Sequence, residues 1–226
     1  SPTTSSGSKV LSEHNVTLTA PEAKTGYTWK GWYTDAAGTT GKIADTNRAI
    51  TVTMDAVKTL YACYTINNHA ITHSPASNGS YTIKVGDASA VSTNTTSDFG
   101  KTITLAATPE TGYHFGSWTA YKTETPGTIV TVTNNQFTMP DYAVTVGATF
   151  LINNYTIAFN ANDANYVGTA TGTTASIAAT YGVSYTLTSN GFSRAGYTFA
   201  GWNSKPDGSG TRYDNEQTGV SNLTAE

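Results

Sequence analysis

Charge is scarce in this chain. Lys, Arg, Asp and Glu make up 12% of its 226 residues, about half of the roughly 25% usual in globular domains, and the formal net charge is −3. With no basic patch there is no electrostatic footprint for nucleic acid and no cationic helix to lie on a membrane. Cysteine is nearly absent: Cys63 has no partner for an internal disulfide. Within Leu60-Tyr61-Ala62-Cys63-Tyr64 it reads as a small buried strand residue rather than a catalytic thiol. No apolar run approaches the roughly 18 residues of a membrane span. The start, Ser1-Pro2-Thr3, carries no initiator Met or signal peptide. It reads as a segment of something longer, with Ser1 to Ser8 as a linker.

Catalytic constellations are missing too. The histidines are His14, His69, His73 and His114; His69 and His73 lie four apart without the further ligands a metal needs. Asn160, Asn162, Asp163 and Asn165 hint at a calcium loop but lack the mid-loop Gly and the late bidentate Glu, so a turn is expected. Asp207, Asp214 and Glu216 surround a hairpin turn with nothing apolar beside them to raise a pKa, and read as solvated. No nucleophile elbow and no phosphate-binding glycine loop occurs. The expectation is a chain that is not an enzyme and holds neither metal nor cofactor.

What the chain does contain is Thr, Ser, Asn and Gly in place of charge, together with 11% aromatics. Thr suits a pleated surface, and Gly and Asn suit turns. The aromatics argue against disorder. Three times one phrase returns, Gly-Tyr-x-(Trp/Phe)-x-x-Trp: Gly26-Tyr27-Thr28-Trp29-Lys30-Gly31-Trp32, Gly112-Tyr113-His114-Phe115-Gly116-Ser117-Trp118 and Gly196-Tyr197-Thr198-Phe199-Ala200-Gly201-Trp202. The spacings are 112 − 26 = 86 and 196 − 112 = 84 residues, so the chain is a tandem array of long period. Ile66-Asn67-Asn68 recurs as Ile152-Asn153-Asn154, again 86 residues on, and marks the junctions. The modules are therefore 1–65, 66–151 and 152–226.

Strand-like entries precede each phrase at Val16-Thr17-Leu18, Ile103-Thr104-Leu105 and Tyr185-Thr186-Leu187. Further strands are expected at Ala49 to Thr53, Leu60 to Tyr64, Tyr81 to Val85, Ile129 to Thr133, Ala143 to Phe150 and Tyr155 to Phe159, and strand is favoured for Ala170 to Ala179. Asn78-Gly79 suits a hairpin turn and Thr125-Pro126-Gly127 a type II turn. Module 1 lacks room for its opening hairpin, and module 3 lacks the closing strand. Both ends are expected to leave open edges.

Within the phrase, strict strand alternation sends Tyr197 and Phe199 to one face and Thr198, Ala200 and Trp202 to the other. The expectation is that Gly26, Tyr27, Trp29, Gly112, Tyr113, Phe115, Gly196, Tyr197 and Phe199 form the fold. Trp32, Trp118 and Trp202 either cover the opposite face or are rotated inward by a bulge at the preceding Gly. If exposed, these tryptophans are the candidate ligand-binding residues, a stacking platform for sugar or peptide, with Trp202 foremost.

The span from Ile152-Asn153-Asn154-Tyr155-Thr156-Ile157 to Gly196-Tyr197-Thr198-Phe199-Ala200-Gly201-Trp202, with Leu60-Tyr61-Ala62-Cys63-Tyr64 as a closing element, resembles the internalin B-repeat family, also called the Listeria/Bacteroides repeat. Module 2, with Phe137-Thr138-Met139-Pro140-Asp141 before its last strand and Gly116 displaced from the place before Trp, resembles a divergent member. The resemblance implies mostly β modules (α+β at most), β-grasp-like, small and strung in an elongated array whose terminal modules are incomplete. It also implies a bacterial cell-surface or secreted setting and a non-catalytic role as spacer, stalk or adhesin. The implied partners are a host or neighbouring surface protein or a glycan, besides neighbouring repeats. The alternative reading is a carbohydrate- or peptide-binding module using exposed Trp and Tyr.

Overall fold

A computed structural model describes residues 14–44, 47–54 and 57–221; the linker expected at Ser1 to Ser8 lies outside them. The chain divides into two compact units. Unit 1 comprises Ser1–Ser74, Thr82–Ala106 and Trp118–Gly147, and unit 2 comprises Pro75–Tyr81, Ala107–Ser117 and Ala148–Glu226. The middle repeat thus contributes residues to both. Among the described residues the regular structure is strand, apart from a single 3-10 turn.

The first repeat supplies β1 (His14–Thr19), β2 (Tyr27–Tyr33), β3 (Lys42–Ala44), β4 (Ala49–Met54) and β5 (Tyr61–Ile66). β1 and β4 pair antiparallel, with Val16 opposite Val52 and Leu18 opposite Ile50. On such a ribbon, matched β-branched and aliphatic pairs are the unit of stabilisation. The phrase strand β2 lies between β3 and β5, antiparallel to both.

The second repeat supplies β6 (Asn68–His73), β7 (Gly79–Val85), β8 (Thr95–Asp98), β9 (Thr102–Pro109), β10 (Tyr113–Lys122), β11 (Gln136–Thr138) and β12 (Val144–Ile152). One sheet runs β10-β12-β6-β8 and the other β11-β9-β7. β12 and β6, the last and first strands of the repeat, pair in parallel with Val144 opposite Ile71. Apolar residues at every second place, Ile103 and Leu105 on β9 or Val144 and Val146 on β12, send one face inward. The core of unit 1 collects Ile71, Ile83, Ile103, Leu105, Met139, Val144 and Val146, each at 2% exposure or less, as well as Trp32, Tyr33 and Cys63 of the first repeat.

The third repeat supplies β13 (Asn154–Ile157), β14 (Thr171–Gly172), β15 (Ile177–Thr180), β16 (Phe192–Ser193), β17 (Trp202–Asn203) and β18 (Arg212–Tyr213). Its sheets are two-stranded: β13-β15, β14-β16 and β17-β18. Buried apolar side chains in unit 2 are Tyr81, Phe150, Ala179, Leu187 and Val220. Among the described residues only the last three belong to the third repeat.

Local expectations change in four places. Asn78 takes a left-handed φ of 66°, but the strands it joins, β6 and β7, lie in different sheets, so the turn is not a hairpin. The turn at Thr125-Pro126-Gly127 is closed by Thr128 N donating to Thr125 O at 2.8 Å. Gly127 stays out of the positive-φ region that type II requires. Ile129 to Thr133 makes only bridges, with Ile129 opposite Tyr121, and Ile129 is 69% exposed, so that stretch borders the sheet without entering it. Tyr185 likewise makes an isolated bridge, to Val220.

Candidate functional site at the aromatic phrase

A bulge decides which way the phrase points. Along β2 and β5 the register steps from Trp29↔Tyr64 to Gly31↔Cys63, two residues on β2 against one on β5. Gly31 has a φ of 137°, open to glycine and strained for an L side chain. Past the bulge the alternation is inverted, so Trp32 returns to the side of Trp29, and their rings meet edge to face at 5.9 Å. Trp32 is 6% exposed, and its Nε1 donates to Arg48 O at 3.0 Å. The third repeat repeats the device: Gly201 has a φ of 134°, and Phe199 and Trp202 meet at 4.8 Å. The second repeat has Ser117 there, outside the positive-φ region. Its Trp118 is half-buried and donates from Nε1 to Asn135 Oδ1 at 2.8 Å.

Alternation alone therefore misplaced the rings. The expectation of inward tyrosines fails at Tyr27 (41% exposed) and Tyr197 (49%), and Phe199 is 40% exposed. Tyr113, Phe115 and Trp29 are half-buried. Tyr27 stands before the bulge, at the first paired position of β2. The tryptophan beyond it is carried inward at Trp32.

The glycines of the phrase sit at a second recurring structure. In unit 1, Asn67 N donates to Gly26 O (2.8 Å), Phe99 N to Asn67 O (2.8 Å) and Thr28 Oγ1 to Asn67 Oδ1 (2.6 Å). In unit 2, Asn153 N donates to Gly112 O (2.8 Å), Tyr181 N to Asn153 O (3.0 Å) and His114 Nδ1 to Asn153 Oδ1 (2.7 Å). A ring covers each glycine: a Cβ on Gly26 would lie 1.9 Å from Phe99 Cδ1, and one on Gly112 would lie 2.0 Å from Tyr181 Cδ1. Both glycines also have left-handed φ, 82° and 86°. Two constraints thus demand glycine at once. Gly196 has a similar φ of 78° but nothing within 4 Å of its Cβ position.

Sequence reasoning saw the Ile-Asn-Asn tripeptide at these junctions but not the residues that complete them. Phe99-Gly100 and Tyr181-Gly182 are the available signal, an aromatic-Gly pair in equivalent positions of two repeats. Asp141 was also missed as a joint residue. It accepts from Gly26 N (2.9 Å), Asn67 Nδ2 (2.8 Å) and His69 Nε2 (2.8 Å). The Asn67 and His69 bonds hold its pKa below the usual carboxylate range, helped by the Gly26 amide.

In the third repeat the phrase borders a cleft. No strand pairs with Tyr197 to Gly201 among the described residues. Phe159, Phe192 and Phe199 surround Trp202 with centroids at 4.5, 6.2 and 4.8 Å. A cavity of about 970 Å³ opens beside them, lined also by Ile157 and Leu187.

The remaining polar candidates are local. No group of three or more His, Cys, Asp or Glu able to hold a metal gathers among the described residues. Asn160 to Asn165 form a turn, with Asn162 left-handed and Asn160 Oδ1 accepting from Asn162 N at 2.7 Å. Asp163 accepts from Ala170 N at 2.9 Å and pairs with Arg194, and these bonds lower its pKa in that order. Asp207 accepts from Ser209, and Asp214 pairs with Arg212 at 3.3 Å where both are exposed. His69 and His73 follow one another on β6, where His69 is engaged by Asp141.

Comparison with known proteins is consistent in kind. The family model described as the Listeria-Bacteroides repeat domain matches residues 2–63 and 155–225, and the one described as the divergent InlB B-repeat domain matches residues 69–154. A protein of Evansella cellulosilytica, provisionally described as a membrane protein, is 29% identical over 211 residues. That alignment takes in 92% of this chain and only 28% of the relative's length. No solved structure matches. Among the described residues no helix is long and apolar enough to cross a membrane.

Proposed function

Since this chain belongs to the Listeria-Bacteroides repeat family, with a divergent InlB B-repeat in its middle, we propose that it is a non-catalytic repeat segment of a bacterial surface protein, acting as a spacer or adhesin arm in contact with host or neighbouring proteins. The observation that carries this reading is the repeated joint. A spacer needs consecutive repeats held at a fixed setting, and each joint ties a Gly-Tyr phrase to the Asn at the boundary with the following repeat by backbone and side-chain bonds. It then seals the glycine under a ring. Side-chain hydrogen bonds of this kind contribute about 0.5–1.5 kcal/mol each, and the close ring contact adds packing that a flexible linker lacks.

The family placement supports the non-catalytic part, and the relative's description supports a place at the envelope. The test is cell fractionation with an antibody raised against this chain. In the bacterium that carries it, the antigen is expected on intact cells and to be removed by external protease. Antigen confined to the cytosol refutes the surface reading. Retention of the purified chain on host-cell monolayers distinguishes an adhesin arm from a plain spacer.

A further inference from the structure

The middle repeat begins and ends on neighbouring strands that run the same way. The chain enters it on β6, which starts at Asn68, and leaves it on β12, which ends at Ile152. The two pair in parallel, with Val144 opposite Ile71, Thr145 opposite Thr72 and Val146 opposite His73. Ser74 N extends the ladder by donating to Val146 O at 2.8 Å. In a parallel pair the start of one strand and the end of the other lie at opposite ends of the ladder. A pull along the chain therefore slides β6 and β12 past each other instead of peeling them apart.

The ladder is also sheltered. It is the central one of its four-stranded sheet, with β10 beyond β12 and β8 beyond β6. On one side β8 holds β6 from Asn68↔Asp98 to Ile71↔Thr95. On the other, Thr123 N donates to Ala143 O at 3.0 Å, and the Thr123 and Thr145 hydroxyls meet at 3.0 Å. Ile71, Val144 and Val146 are fully buried and Thr145 nearly so, so water does not reach the rungs to replace their bonds one at a time. Rungs of a parallel ladder are evenly spaced. Loaded in shear they share the force and break together; loaded from one end, each bears it in turn.

We propose that the middle repeat is a force-bearing clamp, in which the ladder between β6 and β12 carries tension along the chain and keeps the repeat folded under a pull. The resistance is kinetic, because forced unfolding is governed by the unfolding rate rather than by equilibrium stability. A spacer under tension keeps its length only while its repeats stay folded. The clamp rests on the spacer reading for its use, whereas the strength of the ladder does not depend on where the chain resides.

The test pulls the same full chain in two directions. In a Cys63→Ser background, DNA handles are attached through Asn68→Cys and Ile152→Cys, which loads the ladder in shear, or through Asn68→Cys and Ala143→Cys, which loads it from one end. At one loading rate in optical tweezers the shear pair is expected to rupture at a force at least about twofold higher, since its rungs break together. Equal forces, or a higher force for the end-loaded pair, overturn the proposal. Urea midpoints equal to the parent's show that both pairs are folded; where a handle shifts that midpoint, a second arm decides. There the chain is pulled by its two ends in an atomic force microscope. Ser74→Pro removes the N–H that donates to Val146 O and is expected to lower the highest rupture force. Leu105→Ala, buried in the other sheet, is expected to lower the urea midpoint and leave that force unchanged. A rupture force that follows the urea midpoint in both variants refutes the clamp. Antigen confined to the cytosol refutes the surface reading alone and leaves both force results standing.

Discussion

Adding a single methyl group at Gly112 and at Gly196 separates packing from backbone strain. Both positions hold a left-handed φ, 86° and 78°, and an L side chain there costs roughly 1–2 kcal/mol. At Gly196 that is the whole cost, because nothing lies within 4 Å of the new Cβ. At Gly112 the new Cβ falls 2.0 Å from Tyr181 Cδ1. The ring must leave the joint, which adds about 1–3 kcal/mol for overpacking. Gly112→Ala is therefore expected to lose about 2–5 kcal/mol and Gly196→Ala about 1–2 kcal/mol. Urea denaturation, with hydrogen exchange reporting the stretch 177–187, measures both. A Tyr181→Ala partner substitution should recover the packing part in a double-mutant cycle. Losses equal to within about 0.5 kcal/mol, or no coupling to Tyr181, would show that the ring does not seal the joint.

Other substitutions address the remaining parts of the argument. Trp32→Ala empties a buried site and is expected to cost about 3–5 kcal/mol by urea denaturation; a loss under about 1 kcal/mol would mean that the bulge does not carry the ring inward. Asp141→Ala leaves the Gly26 amide and the Asn67 side chain without their acceptor and is expected to cost about 1–3 kcal/mol. The pKa of Asp141 is depressed in the fold, so its contribution is complete above about pH 4, the unfolded value, and is lost as pH falls through the lower folded value. Measuring the urea midpoint against pH should show that acid loss in the parent and not in Asp141→Ala. Asp35 accepts from Thr39 N and Thr40 N, Thr40 being the stronger cause, and its pKa falls to about 2. By the same sign, its hold on the loop of residues 35–41 persists below pH 4 and is lost towards pH 2, which amide exchange at Thr39 and Thr40 should follow. The thiol of Cys63, 8% exposed beside Gly38, is expected to react slowly with a thiol reagent until the first repeat unfolds.

Much of this fold was legible because the period was. An 86-residue recurrence of Ile-Asn-Asn and of Gly-Tyr-x-aromatic-x-x-Trp marks repeats whatever their geometry, and Thr-rich alternation marks strands. The direction of each tryptophan was not legible. It depends on whether the bulge that the Gly before each Trp allows is formed: the register slips before Gly31, Gly201 shares its positive φ, and Ser117 does not. The covering rings were hidden for another reason: Phe99 and Gly26 are distant in sequence and meet only through the intervening strands. Asp141, an unremarkable residue after Pro140, becomes a three-bond acceptor only once β6 and β2 are brought beside it.

The sequence by itself determined the β class and the recurrence of the repeats, since those follow from composition, spacing and local pattern. Only the tertiary structure decided that Trp32 belongs to a core and that Gly26 and Gly112 are capped joints. Strand order is the physical reason. In the middle repeat β12 lies between β10 and β6, and in the first β2 lies between β3 and β5, pairings between segments distant in sequence.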